Sequence, residues 1–295
     1  MKDLLVRPQT LTMLASRLAG IGMFAALLSA VPFTAARAAT LPDLGVAGSF
    51  AILGGSAVTC TNSTITGDVG VWPGTAITQT VCTVNGAIHE GDSVANQAYF
   101  DFLSAYNALA VQTCDYTLSG DLGGVTLTEP GVYCVDAAST TTNGTLTLSG
   151  SSTDTWIFKI GTSGTGALTG TNFNVVMDGG GSPCNVTWWV KEAATMTDSN
   201  FQGTILAGAA ITVTGGTFSG DALAQAAVTL TGATITGCES EEACHPPVRS
   251  RCNQGVGNGP ENCDPGNSNQ GDPGRSNDEL GGKPGKPGRK GGNGK

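Results

Sequence analysis

The feature that most restricts this chain is a 17-residue repeat near the end of its apolar body. Residues 197–213 read TDSNFQGTILAGAAITV, residues 214–230 read TGGTFSGDALAQAAVTL, and residues 231–237, TGATITG, begin a third copy. Phe201 matches Phe218, Gly203 matches Gly220, Leu206 matches Leu223, and Thr212 matches Thr229. A short fixed period marks a solenoid. Within each copy, apolar and polar residues alternate in steps of two, which is the period of a strand and not of a helix. One copy therefore predicts one coil of a β-helix.

Alternation also assigns the faces. In Ile211-Thr212-Val213-Thr214 the apolar pair points inward and both threonines point outward. Val228-Thr229-Leu230-Thr231 and Ala194-Thr195-Met196-Thr197 do the same one coil later and one coil earlier. Stacked coils then predict two parallel files of threonine, about 4.8 Å apart along a file and about 7 Å apart across. One file holds Thr195, Thr212 and Thr229; the other holds Thr197, Thr214 and Thr231. Upstream, Thr59-Cys60-Thr61 and Thr140-Thr141-Thr142 extend both files, and Ala167-Leu168-Thr169 fits with one threonine lost. Three residues after the second threonine comes Thr64, Thr145, Asn172, Asn200, Thr217 or Thr234. A core-type residue follows each of these: Ile65, Leu146, Phe173, Phe201, Phe218 or Ile235. This predicts about six coils. The next face, with Gln202 and Thr204, then Ser219 and Asp221 outward, reads as polar but irregular.

One segment has a different period. In residues 93–112, Val94, Ala98, Phe102, Ala105, Tyr106 and Leu109 recur at helical spacing, and Asp92 or Ser93 suits an N-cap. A single helix covering one apolar side of the solenoid is expected. It divides the N-terminal coil from the other five.

Composition bounds the ends of the chain and its partners. Residues 1–38 read as a secretory signal: Lys2, Arg7 and Arg17, an apolar run from Leu18 to Val31, then Ala36-Arg37-Ala38. The apolar run is too short for a typical membrane span. Residues 41–238 form the body, in which roughly one residue in six is Thr and the only cations are Lys159 and Lys191. Without a basic patch, neither nucleic acid nor an anionic membrane surface is an expected partner. Residues 239–295 are rich in Gly, Pro and Asn and too poor in large apolar residues to bury a core, so a flexible tail is expected. Its basic run Gly282-Lys283-Pro284-Gly285-Lys286-Pro287-Gly288 would suit contact with an acidic glycan or cell surface, or serve only as a soluble spacer. An exported chain permits disulfides. Cys60–Cys82 and Cys114–Cys134 are the expected pairs, because each brackets a short irregular stretch. Cys184 and Cys238 stay undecided, with Cys184 open to being a buried free thiol; Cys244, Cys252 and Cys263 lie in the tail.

Chemistry is sparse. His89 is the single histidine of the body and no G-x-S-x-G elbow accompanies it. The body acids, among them Asp68, Asp121 and Asp221, are scattered over turns and outward positions, and Arg is absent from the body. Polysaccharide-cleaving chemistry, which needs clustered acids or a stabilising cation, is not expected. Neither a metal site, a cofactor nor an enzyme activity is expected.

At this point the body resembles the DUF3494 ice-binding proteins of bacteria, fungi and algae. The likeness covers roughly residues 41–238. It is carried by Leu44-Gly45-Val46-Ala47-Gly48-Ser49-Phe50-Ala51-Ile52-Leu53, by Ile65-Thr66-Gly67-Asp68-Val69-Gly70-Val71 and by Gly86-Ala87-Ile88-His89-Glu90-Gly91-Asp92. Pro130-Gly131-Val132-Tyr133, Trp156-Ile157-Phe158-Lys159-Ile160 and Cys184-Asn185-Val186-Thr187-Trp188-Trp189-Val190 add to it. The resemblance implies a discontinuous right-handed β-solenoid with one long helix alongside, whose first coil packs next to its last. That would continue the files from Thr229 and Thr231 onto Thr59 and Thr61. It implies T-[AG]-x-[TN] steps on an ice-binding face, here Thr75–Thr78, Thr169–Asn172, Thr214–Thr217 and Thr231–Thr234, with Thr197–Asn200 departing at Asp198. It implies a secreted monomer whose partner is the ice crystal surface. The alternative is an extracellular adhesin or matrix protein on the same scaffold without ice activity.

Overall fold

The computed structural model describes residues 39–238. The expected signal, tail and tail cysteines lie outside the described residues. Within them the chain forms a parallel β-solenoid with three sheets of nine, seven and eight strands, and one helix, Ser93–Ala110.

The seven-stranded sheet shows the winding order most simply. From one end its strands are Ser139–Thr142, Leu168–Thr171, Ala194–Thr197, Ile211–Thr214, Val228–Thr231, Ala57–Thr61 and Ala76–Thr80. There are seven coils rather than six. The additional coil spans Ala76–Glu90, so two coils, not one, precede the helix. The first coil in sequence pairs with the last: Thr59 sits opposite Thr229 and Thr61 opposite Thr231.

The helix explains how this discontinuity is possible. Eighteen residues of helix span about 27 Å. Six coil spacings span about 29 Å. The helix thus carries the chain from one end of the solenoid to the other, and the remaining coils wind back. Asp92 is the N-cap, its carboxylate accepting from the backbone N–H of Val94 and Ala95. Hydrogen bonding to the Ala95 N–H, then to His89, holds the Asp92 carboxyl below the usual value. His89 Nδ1 lies 2.7 Å from Asp92 Oδ2, so this histidine is a helix-entry residue. At the other end, the almost fully buried Lys159 donates from Nζ to the carbonyls of Ala110 and Gln112. A cation there satisfies orphan carbonyls and complements the helix dipole. Burial pushes the Lys159 ammonium below its ordinary pKa.

The nine-stranded sheet is the one the helix covers. Its strands Phe50–Gly54, Gly131–Val135, Trp156–Ile160 and Val186–Val190 are buried on both faces, which is why they read as continuous apolar runs. Leu53, Ile157, Trp189, Leu206 and Leu223 meet Phe102, Ala105, Tyr106 and Leu109 of the helix. Ala95 is buried in the first turn, whereas Val94 is exposed. A stack of rings crosses the coils, from the exposed Tyr116 at one end to the buried Tyr133, Phe158, Trp188, Phe201 and Phe218, at centroid spacings from 4.0 to 5.7 Å.

Three disulfides staple the coils. Cys60–Cys82 joins the two N-terminal coils, and Cys114–Cys134 ties the segment after the helix to the strand Gly131–Val135. Cys184 is not a free thiol. It pairs with Cys238, closing a loop of 54 residues and fastening the last coil. Sequence spacing could not show this, because the two cysteines meet only once the coils have stacked.

After each threonine strand the chain turns a corner through one residue in the left-handed region. These residues are Asn62, Val81, Asn143, Asn172, Asp198, Gly215 and Gly232, with φ between 47° and 66°. Gly and Asn tolerate this conformation; a β-branched residue does not. Val81 is 81% exposed and packs on little. Val81→Asn should stabilise the fold by about 1 kcal/mol, raising the thermal midpoint by roughly 2–4 °C. Calorimetry showing an unchanged or lower midpoint would contradict this account of the corner.

Candidate functional site

The outward side of the seven-stranded sheet is built by register. Thr140 pairs with Thr169, Thr169 with Thr195, Thr195 with Thr212, Thr212 with Thr229, Thr229 with Thr59, and Thr59 with Thr78. The second file runs Thr142, Thr171, Thr197, Thr214, Thr231, Thr61 and Thr80 through the same pairings. All eleven expected threonines lie in these two files, but Thr169 stands in the first file and not the second, and the structure adds Thr78, Thr80 and Thr171. Both files are complete across all seven coils. Parallel pairing without a register shift keeps each threonine directly over the last. No charged residue stands on any of these strands.

The positions between the threonines face inward. Cys60, Leu230, Val213 and Met196 are buried there. Thr141 is buried too, and its hydroxyl accepts from the backbone N–H of Leu122, which closes that end of the solenoid. Gly170 takes the same position in the Leu168–Thr171 coil. A Cβ there would meet Met196 Sδ at 2.8 Å and Phe173 Cβ at 3.0 Å. The Phe173 ring occupies the volume an inward side chain would need. Gly170 hides the alternation in this coil, and the register puts Thr169 in the first file, where alternation predicts the second, with Thr171 beside it.

The same shift moves the next residue. Three residues past Thr171 stands Asn174, and Asn174 is the one that pairs with Thr145 and Asn200. Asn172 does not belong to this row. It is the left-handed corner residue, with its Nδ2 donating to Asn143 Oδ1 at 2.8 Å. The third file accordingly runs Thr145, Asn174, Asn200, Thr217, Thr234, Thr64 and Thr83. Two side-chain hydrogen bonds lock part of it: Asn200 Nδ2 donates to Asn174 Oδ1 at 2.8 Å, and Thr217 Oγ1 donates to Asn200 Oδ1 at 2.9 Å. Of the T-[AG]-x-[TN] steps, Thr214–Thr217 and Thr231–Thr234 straddle the corner. Thr75–Thr78 and Thr169–Asn172 fall in other registers. Asp198 keeps the corner conformation of its neighbours, so the files continue past it undisturbed.

The acids do not converge. Asp68 accepts from the Ala87 N–H of the neighbouring coil and Asp121 from the Gly123 N–H within its own turn. Thr204 and Asp221 are not outward, as alternation suggests, but buried where the chain enters the nine-stranded sheet. Asp221 accepts from Thr204 Oγ1 at 3.1 Å and from the Cys238 N–H at 2.7 Å. Burial, offset in part by those two bonds, raises its pKa to about 7. A folded value above the unfolded 3.8 means the native state binds the extra proton between these limits. Its contribution to stability is therefore full below about pH 4 and declines as pH rises to about 7, at no more than about 1.4 kcal/mol per pH unit. Asp221→Asn should remove this component, so that stability falls less between pH 5 and pH 8 than in the unmutated chain. Equal slopes in denaturant melts would refute the assignment.

Among the described residues no group of His, Cys, Asp or Glu could hold a metal ion, and no helix is long and apolar enough to cross a membrane. What the arrangement offers is a rigid, uncharged, periodic surface.

Known proteins share this architecture. The ice-binding-like family model matches residues 52–236. An ice-binding protein of Nostoc sp. (strain HG1) is 41% identical over 198 residues, covering 64% of this chain and 71% of that protein. The crystal structure of an ice binding protein from an Antarctic biological consortium superposes with a TM-score of 0.64 at 36% identity, covering 69% of this chain and 94% of that one. An ice-binding protein from the Antarctic ascomycete Antarctomyces psychrotrophicus gives a TM-score of 0.61 at 32% identity, covering 67% and 98%. With its solenoid, its helix strut and this extent of identity, the chain belongs to the ice-binding-like family.

Proposed function

We propose that this chain adsorbs to ice through the two threonine files of its seven-stranded sheet and so inhibits ice growth and recrystallisation. The observation that carries the reading is the unbroken register of both files across all seven coils. A repeating ligand is best met by a repeating surface. Each threonine presents a methyl, which orders neighbouring water, and a hydroxyl, which can donate to it and accept from it. β-Branching limits χ1, so little side-chain freedom is lost on contact. One threonine contributes little, but a preorganised plane of them avoids most of the ordering cost of binding. Absence of charge on these strands fits the same role, since ions bind their own hydration shells. No bond is made or broken, and the protein acts by binding and not as an enzyme. The signal-like residues 1–38 support export, which would bring the surface into contact with extracellular ice.

Ice-affinity partition tests this directly. A slowly growing ice hemisphere in a dilute solution of the full chain should enrich the chain in the solid, while a similarly sized inert protein is excluded. Equal exclusion of both would overturn the proposal.

A further inference from the structure

The first and last coils meet at an interface unlike the others in the stack. Elsewhere, coils that touch are also consecutive in the chain, so they part only if the chain unwinds. At one place they are not. The strands Phe50–Gly54, Ala57–Thr61 and Thr64–Thr66 lie on Ala222–Ala224, Val228–Thr231 and Thr234–Thr236. Here two finished coils face one another, and the chain connects them only by way of the helix and the returning coils. The disulfides respect this seam. Cys60–Cys82 lies wholly on one side, and Cys114–Cys134 and Cys184–Cys238 lie wholly on the other.

Packing across the seam is light. The interior ring stack stops one coil short of it, at Phe218. Ile52 lies beside Ala222, Gly54 beside Ala224 and Ile65 beside Ile235. Among the described residues one side-chain hydrogen bond crosses it. Ser63, 4% exposed, donates from Oγ to the Thr61 carbonyl at 2.9 Å and accepts from the Ala233 N–H of the last coil at 3.0 Å. Ser199 makes the same pair of bonds, to the Thr197 carbonyl and from the Phe173 N–H, but between coils that the chain itself joins. The rest of the hold is the helix. It is bonded to the returning coils through Trp189 Nε1 on the Tyr106 carbonyl and through Lys159. Its start is joined by Gly91 and Asp92 to the two N-terminal coils, and Leu53 packs on it from that side.

We infer that this seam is a hinged joint latched by Ser63: residues 50–90 open from the returning coils as one unit, pivoting on the helix, and opening breaks both threonine files. Solenoid stability is close to a sum of coil terms and coil–coil terms, and local opening follows cooperative units. Parting the seam costs one coil–coil interface and unwinds no coil. Each file then divides into five threonines and two, between Thr229 and Thr59 in one and between Thr231 and Thr61 in the other. Ser63 is a positioning residue: it lies inside the solenoid and keeps the two pieces of the face in register. The joint stands on the fold alone, and its effect on ice rests on the proposed function.

Hydrogen–deuterium exchange of the folded full chain tests the joint, with the corner N–H groups as matched reporters. Gly232 donates to the Thr61 carbonyl across the seam, whereas Gly215 donates to Thr231 and Asp198 to Thr214 between consecutive coils. Corrected for intrinsic rates, Gly232 should exchange about tenfold faster than Gly215 and Asp198, in step with Gly237, which donates to Thr66 across the seam. Ser63→Ala leaves the Ala233 N–H without its partner and should speed the seam amides by about a further tenfold, with Asp198 unchanged. Thr66→Cys/Thr236→Cys places a disulfide between register partners on the eight-stranded sheet, away from the threonine files, and should slow Gly232 to the Gly215 rate. Recrystallisation inhibition should fall in Ser63→Ala and return when the cross-link is added to it. Equal exchange at Gly232 and Gly215 in the unmutated chain, or a Ser63→Ala effect spread evenly over all coils, would overturn the joint. Faster seam exchange with undiminished recrystallisation inhibition would overturn its effect on the threonine files. A chain without any action on ice, but with this exchange pattern, would overturn the functional reading and leave the joint standing.

Discussion

Replacing Thr212 and Thr214 together by tyrosine is expected to reduce recrystallisation inhibition by more than tenfold, with the fold retained. Both residues sit at the middle of the seven-stranded sheet, with three coils on one side and three on the other. Two bulky rings there would hold the crystal surface away from the neighbouring threonines, so the loss is not limited to two contacts. Their side chains face solvent, and tyrosine is a good strand former, so stability should change by less than about 0.5 kcal/mol. Recrystallisation endpoints measured on dilution series, beside thermal melts, check both halves. Full activity in a folded double variant would show that this face is not the one used.

The largest stability effect is expected from Phe201→Ala, a loss of about 3–5 kcal/mol. Phe201 is buried in the ring stack, 5.1 Å from Trp188 and 5.2 Å from Phe218, with Phe173 edge-on at 6.2 Å. Removing it leaves a cavity between coils. The walls are rigid, because each coil is bonded to both neighbours and cannot collapse inward. Phe201→Leu should cost distinctly less. Equilibrium denaturation of both variants decides this; similar small losses for the two would mean that the interior repacks. Because Asn200 lies beside Phe201, a destabilised variant should also lose order in the third file before the threonine files.

Much of the threonine surface was legible in the sequence. Where inward residues are large and apolar, as in Val213, Leu230 and Met196, strand alternation sorts faces without ambiguity. The faces are not legible where that condition lapses. Gly170 supplies no inward side chain because Phe173 fills its place, so the coil lost its signature and Thr171 and Asn174 were passed over. The coil of Ala76–Thr80 ends the solenoid, and its inward position is the exposed Gln79, so it did not resemble the others. Thr204 and Asp221 were placed outward by the same alternation, because the turn of the chain into the nine-stranded sheet is not visible as a period.

The sequence by itself determined the coil: its period, its two threonines, its inward residues, and a helix long enough to run the length of the stack. These are local, and repetition makes local preferences agree. What only the tertiary structure decided is the order of coils and everything that depends on it. Thr59 becomes the neighbour of Thr229, and Cys184 of Cys238, across separations that no spacing rule spans. The physical reason is that any coil can stack on any other with the same hydrogen bonds. Position is selected instead by the helix, which must bury one face along the whole nine-stranded sheet and so delivers the chain to the far end.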